Sequence, residues 1–219
     1  MEIDGKYKAL YDYDRAVSAE TGLSVAGIDE AGRGPLAGPV VVAAVMFSEG
    51  ALDRYAVNDS KALTAQRRNE LEEMLLSDGD VRIAVSIQSA ARIDEVNILR
   101  ATHEGMRQVA LELSPGLALV DGLKVPGFPV AARFIVKGDA TSASIAAASI
   151  IAKTRRDAMM VELAEKYPQY GFEKHKGYGT AEHLAALRKY GPCPEHRMSF
   201  APVREILEPR PVQMELPFS

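Results

Sequence analysis

The chain is predicted to fold as a mixed α/β domain, because five short apolar runs alternate with segments of helical periodicity. Two further observations sharpen this. The apolar runs 25–28 and 40–47 flank a glycine-rich turn, which reads as strand, turn, strand. Three of the five runs also deliver carboxylates near their C-terminal ends: Asp29 with Glu30, then Asp121, then Asp139. In α/β sheets, ligands gather at the carboxyl ends of strands, so these four acids form the candidate site.

Residues 1–22 read as a short helix whose turns are marked by Tyr7, Leu10, Tyr11 and Asp14, a prefix too short to be a domain of its own. The first strand and its acids run into Gly32-Arg33-Gly34-Pro35-Leu36-Ala37-Gly38-Pro39. With Ala37 in third place this turn meets the loose spacing of a dinucleotide-binding motif. That motif must open a helix, whereas Pro35, Gly38 and Pro39 lead into Val40-Val41-Val42. The loop Asn58-Asp59-Ser60-Lys61 precedes a helix over 64–76, with Thr64 as N-cap. Residues 81–88 alternate and form the third strand, and 93–113 read as one long helix, stopped by Ser114-Pro115-Gly116. Residues 117–122 and 133–136 are the fourth and fifth strands. Residues 141–166 are helical and rich in small side chains between Ser142 and Lys153, as suits a helix packed tightly on a sheet. Asp157 at its centre is read as paired to Arg155 and Arg156. Residues 167–180 form a loop in which Lys176 and Tyr178 place a cation beside an aromatic ring, a combination that holds phosphate and stacks on a sugar or base, or simply a packed loop tyrosine. A helix over 181–190 follows. Cys193 and His196 have ligand-like spacing, but no second pair completes a zinc site.

The composition, 47% hydrophobic and 26% charged, is that of an ordinary globular domain. No stretch is long and apolar enough to span a bilayer, no signal peptide opens the chain, and the single cysteine has no internal partner, so a cytoplasmic location is expected. The net charge of −4 argues at first against nucleic acid. Its distribution argues the other way: residues 133–197 hold 11 Lys and Arg against 7 Asp and Glu, while residues 1–132 hold 13 against 20. Cations that attract phosphate beside an acidic pocket suit a metal-dependent nuclease.

Asp29, Glu30, Asp121 and Asp139 supply hard oxygen donors, which select Mg²⁺ or Mn²⁺. Four converging carboxylates repel unless cations lie among them. Two cations roughly 3.5–4 Å apart orient a water for in-line attack on a phosphodiester. No serine, cysteine or histidine nucleophile stands at a meaningful spacing from a partner.

The stretch Gly27-Ile28-Asp29-Glu30-Ala31-Gly32-Arg33-Gly34 resembles the signature of bacterial ribonuclease HII, and the likeness extends over about 24–203. The resemblance implies an RNase H-like fold with a mixed five-stranded sheet flanked by helices, a catalytic domain over 1–203 with a C-terminal helical part from about 157, and a tail over 204–219. It implies cleavage of the RNA strand of RNA–DNA hybrids and nicking of DNA 5′ to an embedded ribonucleotide, leaving 3′-OH and 5′-phosphate ends, with a role in ribonucleotide removal. By the same resemblance Asp29, Glu30, Asp121 and Asp139 are the catalytic, metal-holding acids. Gly32, Arg33 and Gly34 read the ribose 2′-OH and adjoining phosphate, Lys61 lies near the nucleic-acid backbone, and Tyr178 packs on the deoxyribose after the ribonucleotide. Thr141 departs from the family, where lysine is common, which removes one possible phosphate contact. Other RNase H-like nucleases and a non-catalytic hybrid-binding module are the alternatives; a monomer is the simplest assembly. At the end of the chain, Gln213, Leu216 and Phe218 resemble the short peptide by which bacterial replication proteins dock on the sliding clamp.

Overall fold

A computed structural model describes residues 5–57, 60 and 63–207. Five strands form one sheet: β1 (Val25–Ala31), β2 (Val40–Phe47), β3 (Val81–Gln88), β4 (Leu117–Asp121) and β5 (Ala132–Ile135). Their order is β3-β2-β1-β4-β5. The pairs β1–β2 and β2–β3 are antiparallel, the second joined through α2, while β1–β4 and β4–β5 are parallel, so the sheet is mixed. Eight α-helices surround it among the described residues: α1 (Gly5–Thr21), α2 (Ala65–Ser77), α3 (Ala90–Val96), α4 (Ile98–Leu113), α5 (Ala143–Lys166), α6 (Phe172–His175), α7 (Ala181–Tyr190) and α8 (Ala201–Leu207). None of the described helices is long and apolar enough to cross a membrane.

The two-residue period of a strand sorts side chains between two cores. Ala26 and Ile28, Val42 and Ala44, and Ala118 and Val120 face α4, meeting Met106, Val109 and Leu113. On the opposite face Val41, Ala43 and Val45 meet α5, together with Leu10 and Tyr11 of α1 and Leu71 and Leu75 of α2. Leu71 and Leu75 are fully buried, and each such side chain contributes about 2 kcal/mol. All ten residues of α5 from Ala143 to Ala152 are buried, the pattern of a helix enclosed on every side. Gly27 explains how α5 comes so near: a Cβ there would lie 2.1 Å from the Ile145 backbone nitrogen.

Several sequence expectations are corrected. The predicted single helix over 93–113 is two helices, α3 and α4, broken at Asn97 (φ 71°, ψ 162°). Asn97 ends α3 through its N–H to Ile93 and starts α4 by accepting from the Arg100 N–H, so one residue caps both helices. Apolar spacing continues across this break and hides it. The helix expected over 141–166 begins at Ala143, with Ser142 as its N-cap. The loop over 167–180 contains a 3₁₀ turn at Pro168–Tyr170 and the short α6. Asp157 pairs with Lys153 (2.7 Å) and Arg68 (3.6 Å), not with its neighbouring arginines. Lys153 stands one helical turn before Asp157 on the same face, while Arg155 turns away to Glu72 (2.7 Å). Thr64 caps α2 as expected, accepting from the Arg67 N–H at 3.2 Å.

Asp14 ties α1 to the start of α5: its carboxylate accepts from the Ser144 N–H at 2.8 Å. Burial pushes this carboxyl up to about 6, against the opposing hydrogen bonds from Ser142 and Ser144. The folded protein therefore binds this proton more tightly than the unfolded chain. The group's stabilising effect is complete below pH 4 and declines as pH rises towards 6. A rise from 3.8 to about 6 corresponds to about 3 kcal/mol. In urea unfolding, the stability of Asp14→Asn relative to wild type is expected to improve by about 2 kcal/mol between pH 4 and pH 7.5. A difference that stays constant, or moves the other way, contradicts this.

Candidate active site

The adjoining C-terminal ends of β1 and β4 decide which acids meet. Asp29 projects to the α5 side of β1, two residues beyond Gly27, and Asp121 ends the neighbouring parallel strand β4. Glu30 follows Asp29 in the strand. Asp29, Glu30 and Asp121 line one cavity of about 290 Å³, together with Gly32, Ser60, Ser149, Lys153, Arg156 and Tyr178. Ser149, Lys153 and Arg156 lie four and three residues apart, so α5 presents them on one face. Asp139 is buried and follows Gly138, whose N–H donates to Asp121 Oδ1 at 2.6 Å, but Asp139 is not on the cavity wall.

The electrostatics are those of crowded carboxylates. Asp29 is 6% exposed, and its carboxyl is held well above the usual range, first by burial and then by Glu30 and Asp121. Hydrogen bonds from Ser149 and from the Glu30 N–H (2.7 Å) oppose that rise. Burial also raises Glu30, while Arg33, 3.3 Å away, lowers it. The hydroxyl of Ser149 lies 2.9 Å from that of buried Ser60. Hard oxygen donors that repel one another in a buried setting fit a divalent cation. Among the described residues, though, no group of three His, Cys, Asp or Glu is arranged as a ready-made metal cage.

The nucleic-acid candidates divide. The Gly32-Arg33-Gly34 turn and Tyr178 come together: a Cβ on Gly34 would lie 3.5 Å from Tyr178 Cε1, and the Tyr178 ring is 48% exposed. Lys176 stands apart, its amino group bonded to the Glu173 carbonyl, and lines a different cavity with Arg68, Glu72 and Asp157. Lys61 lies outside the described residues, as do Gln213, Leu216 and Phe218.

Sequence reasoning passed over Ser149, Lys153 and Arg156 as site residues. Their spacing on α5 was the available signal. It also passed over the role of Cys193 and His196. The Cys193 N–H donates to His196 Nδ1 (3.0 Å), so His196 Nε2 carries the proton and donates to His183 Nε2 (3.0 Å). His183 Nδ1 in turn donates to the Tyr178 carbonyl (2.9 Å). Burial pushes His196 down to about 4, which keeps this chain of neutral imidazoles intact near pH 7. The ligand-like pair therefore fixes the backbone of Tyr178.

Comparison with known proteins agrees with this fold. The family model for Ribonuclease HII matches residues 26–203. A ribonuclease HII of Chlamydia caviae is 51% identical over 197 residues, covering 89% of this chain and 92% of that relative. Among solved structures, the PCNA:RNase HII complex from Archaeoglobus fulgidus matches with a TM-score of 0.70 and 31% identity, over 81% of this chain and 95% of that one. The ribonuclease H2 from Pyrococcus horikoshii OT3 matches with a TM-score of 0.72 and 28% identity, over 84% and 96%. With its mixed five-stranded sheet and a family match across most of its length, the chain belongs to the ribonuclease HII family of RNase H endonucleases.

Proposed function

We propose that this enzyme uses Mg²⁺ or Mn²⁺ to cut the RNA strand of RNA–DNA hybrids and to nick DNA 5′ to an embedded ribonucleotide, leaving 3′-OH and 5′-phosphate ends. The observation that carries this reading is the gathering of Asp29, Glu30 and Asp121 around one cavity with Gly32 and Tyr178 on the same wall. Asp29, Glu30, Asp121 and Asp139 are the proposed cation ligands, with Asp139 adjoining through the Gly138–Asp121 hydrogen bond. When bound, a pair of divalent cations supplies an activated water and neutralises charge at the scissile phosphate.

The chain's own residues then do the positioning. Ser149 holds Asp29 from α5, and the Glu30 N–H holds it from the strand, so the carboxylate presents one orientation to the cavity. Arg33 is half exposed and only loosely held by Glu30 at 3.3 Å, which leaves its cation available to an incoming phosphate. Tyr178, propped by His183, offers an exposed ring on which a sugar packs. The 2′-OH, a donor and acceptor that DNA lacks, is what the Gly32-Arg33-Gly34 backbone distinguishes. Lys61 and Lys176 are assigned to contacts with the nucleic-acid backbone, Lys176 from outside the acid cavity. Removal of ribonucleotides from DNA is the role that follows from this substrate, and we take the protein to act as a cytoplasmic monomer.

An end-labelled DNA duplex with one ribonucleotide tests the reading. Wild type is expected to nick 5′ to the ribonucleotide with Mg²⁺ or Mn²⁺ and not with EDTA, and Asp121→Asn is expected to lose at least about 100-fold in rate, the scale of a removed charge-stabilising group. Cutting in EDTA, or an Asp121→Asn enzyme as fast as wild type, contradicts it. Hybrid binding without any cutting would favour a binding module.

A sliding clamp is the proposed partner of the tail, through Gln213, Leu216 and Phe218. The support is the Q-x-x-L-x-F pattern, and the Archaeoglobus fulgidus relative was solved as a PCNA complex. Full-length protein is expected to retain a bacterial clamp in pull-down and a chain lacking 213–219 to lose it. Equal retention by both, or none by either, removes the proposal.

A further inference from the structure

Arg197 is fully buried, yet among the described residues it pairs with no carboxylate. Its guanidinium is spent on the turn between β1 and β2. Nε and Nη2 donate to the Gly38 carbonyl (3.0 and 2.9 Å), Nη2 also to Gly32 (2.6 Å), and Nη1 to Arg33 (3.0 Å). One planar group thus ties together the two ends of the turn. Arg156 reinforces the arrangement from α5, donating to Pro39 (3.0 Å) and Ala37 (3.1 Å). The backbone of Arg197 adds its own N–H to the Leu36 carbonyl at 2.8 Å.

The direction of these carbonyls has a consequence for the amides. No described peptide bond is cis, and in a trans peptide the C=O and N–H point in opposite directions. Drawing the Gly32 carbonyl inward to Arg197 therefore turns the Arg33 N–H outward, and drawing in the Arg33 carbonyl does the same for the Gly34 N–H. Other donors of the turn are used inside the fold: the Leu36 N–H by Gly177 and the Gly38 N–H by Glu195. Gly34 itself lies beside the Tyr178 ring: a Cβ there would be 3.5 Å from Cε1.

We infer that Arg197 is a positioning residue for ribose discrimination: it aims the Arg33 and Gly34 N–H groups at the substrate by holding their peptide carbonyls. This rests on the reading of the turn as the 2′-OH sensor. A planar guanidinium with fixed donors spans three carbonyls at once, whereas the ammonium of lysine is a point charge and cannot. The role needs Arg197 to touch no part of the substrate.

The test compares binding of a duplex carrying one ribonucleotide with binding of the same all-DNA duplex, in Ca²⁺, for wild type, Arg197→Lys and Arg197→Met. Wild type is expected to prefer the ribonucleotide duplex. Both variants are expected to lose at least about tenfold of that preference, the size of one misdirected hydrogen bond, while all-DNA affinity stays within about twofold. A second measurement needs no variant: in wild type, the Arg33 and Gly34 amide ¹⁵N–¹H signals should shift with the ribonucleotide duplex and not with the all-DNA duplex. Undiminished preference in a folded Arg197→Lys, or a proportionate loss on both duplexes, overturns the inference, as do Arg33 and Gly34 amides indifferent to the 2′-OH. If wild type itself shows no preference, the reading of the turn fails first and the inference falls with it.

Discussion

The approach of α5 to β1 at Gly27 is the contact on which the site depends. Any side chain there would drive into the backbone of Ser144 and Ile145, so the separation of helix and strand is set by a missing Cβ. The small residues of α5 continue the close fit along the sheet. Two residues beyond Gly27 the same strand carries Asp29, and four residues beyond Ile145 the same helix carries Ser149, whose hydroxyl supports it. Parallel pairing of β1 with β4 then sets Asp121 beside Asp29. The burial, and after it the like-charge crowding, that raise Asp29 are thus products of packing, and a cation held there would relieve the repulsion.

A second constraint acts through the C-terminal helical part. Leu36 and Ala37 of the turn are buried in a cluster with Met160, Phe172, Leu187, Cys193 and Val203. On top of that apolar contact, Arg156 and Arg197 collect the turn's carbonyls, and the His196–His183 chain collects the Tyr178 carbonyl. Buried cations without carboxylate partners are normally unfavourable. Here the several carbonyl dipoles replace the lost water, and the turn and the Tyr178 loop are held at one rim of the acid cavity.

Much of this was legible in the sequence, and the exceptions have physical reasons. The five strands and the mixed sheet follow from apolar runs with turn chemistry between them, and the acids were visible because they end those runs. The break at Asn97 was hidden because a single polar residue interrupts neither apolar period nor helix propensity strongly. Asp157 was read by adjacency, while helix geometry pairs it with Lys153 one turn earlier. Arg197 left almost no signal: its partners are backbone carbonyls from residues 32–38, which carry no side-chain signature. Cys193 and His196 have ligand-like spacing without a second pair to complete a zinc site, and spacing alone does not say which way a ring nitrogen faces, so the hydrogen-bond chain through them left no signal.

The most direct test of the account is a crystal structure of the protein with Mn²⁺ and an RNA–DNA hybrid, with diffraction recorded at the manganese absorption edge. The account predicts anomalous density within ligand distance of both Asp29 and Asp121, next to the scissile phosphate, with the 2′-OH against the Gly32-Arg33-Gly34 turn. Manganese bound away from these two acids, or a hybrid seated elsewhere on the protein, would contradict it.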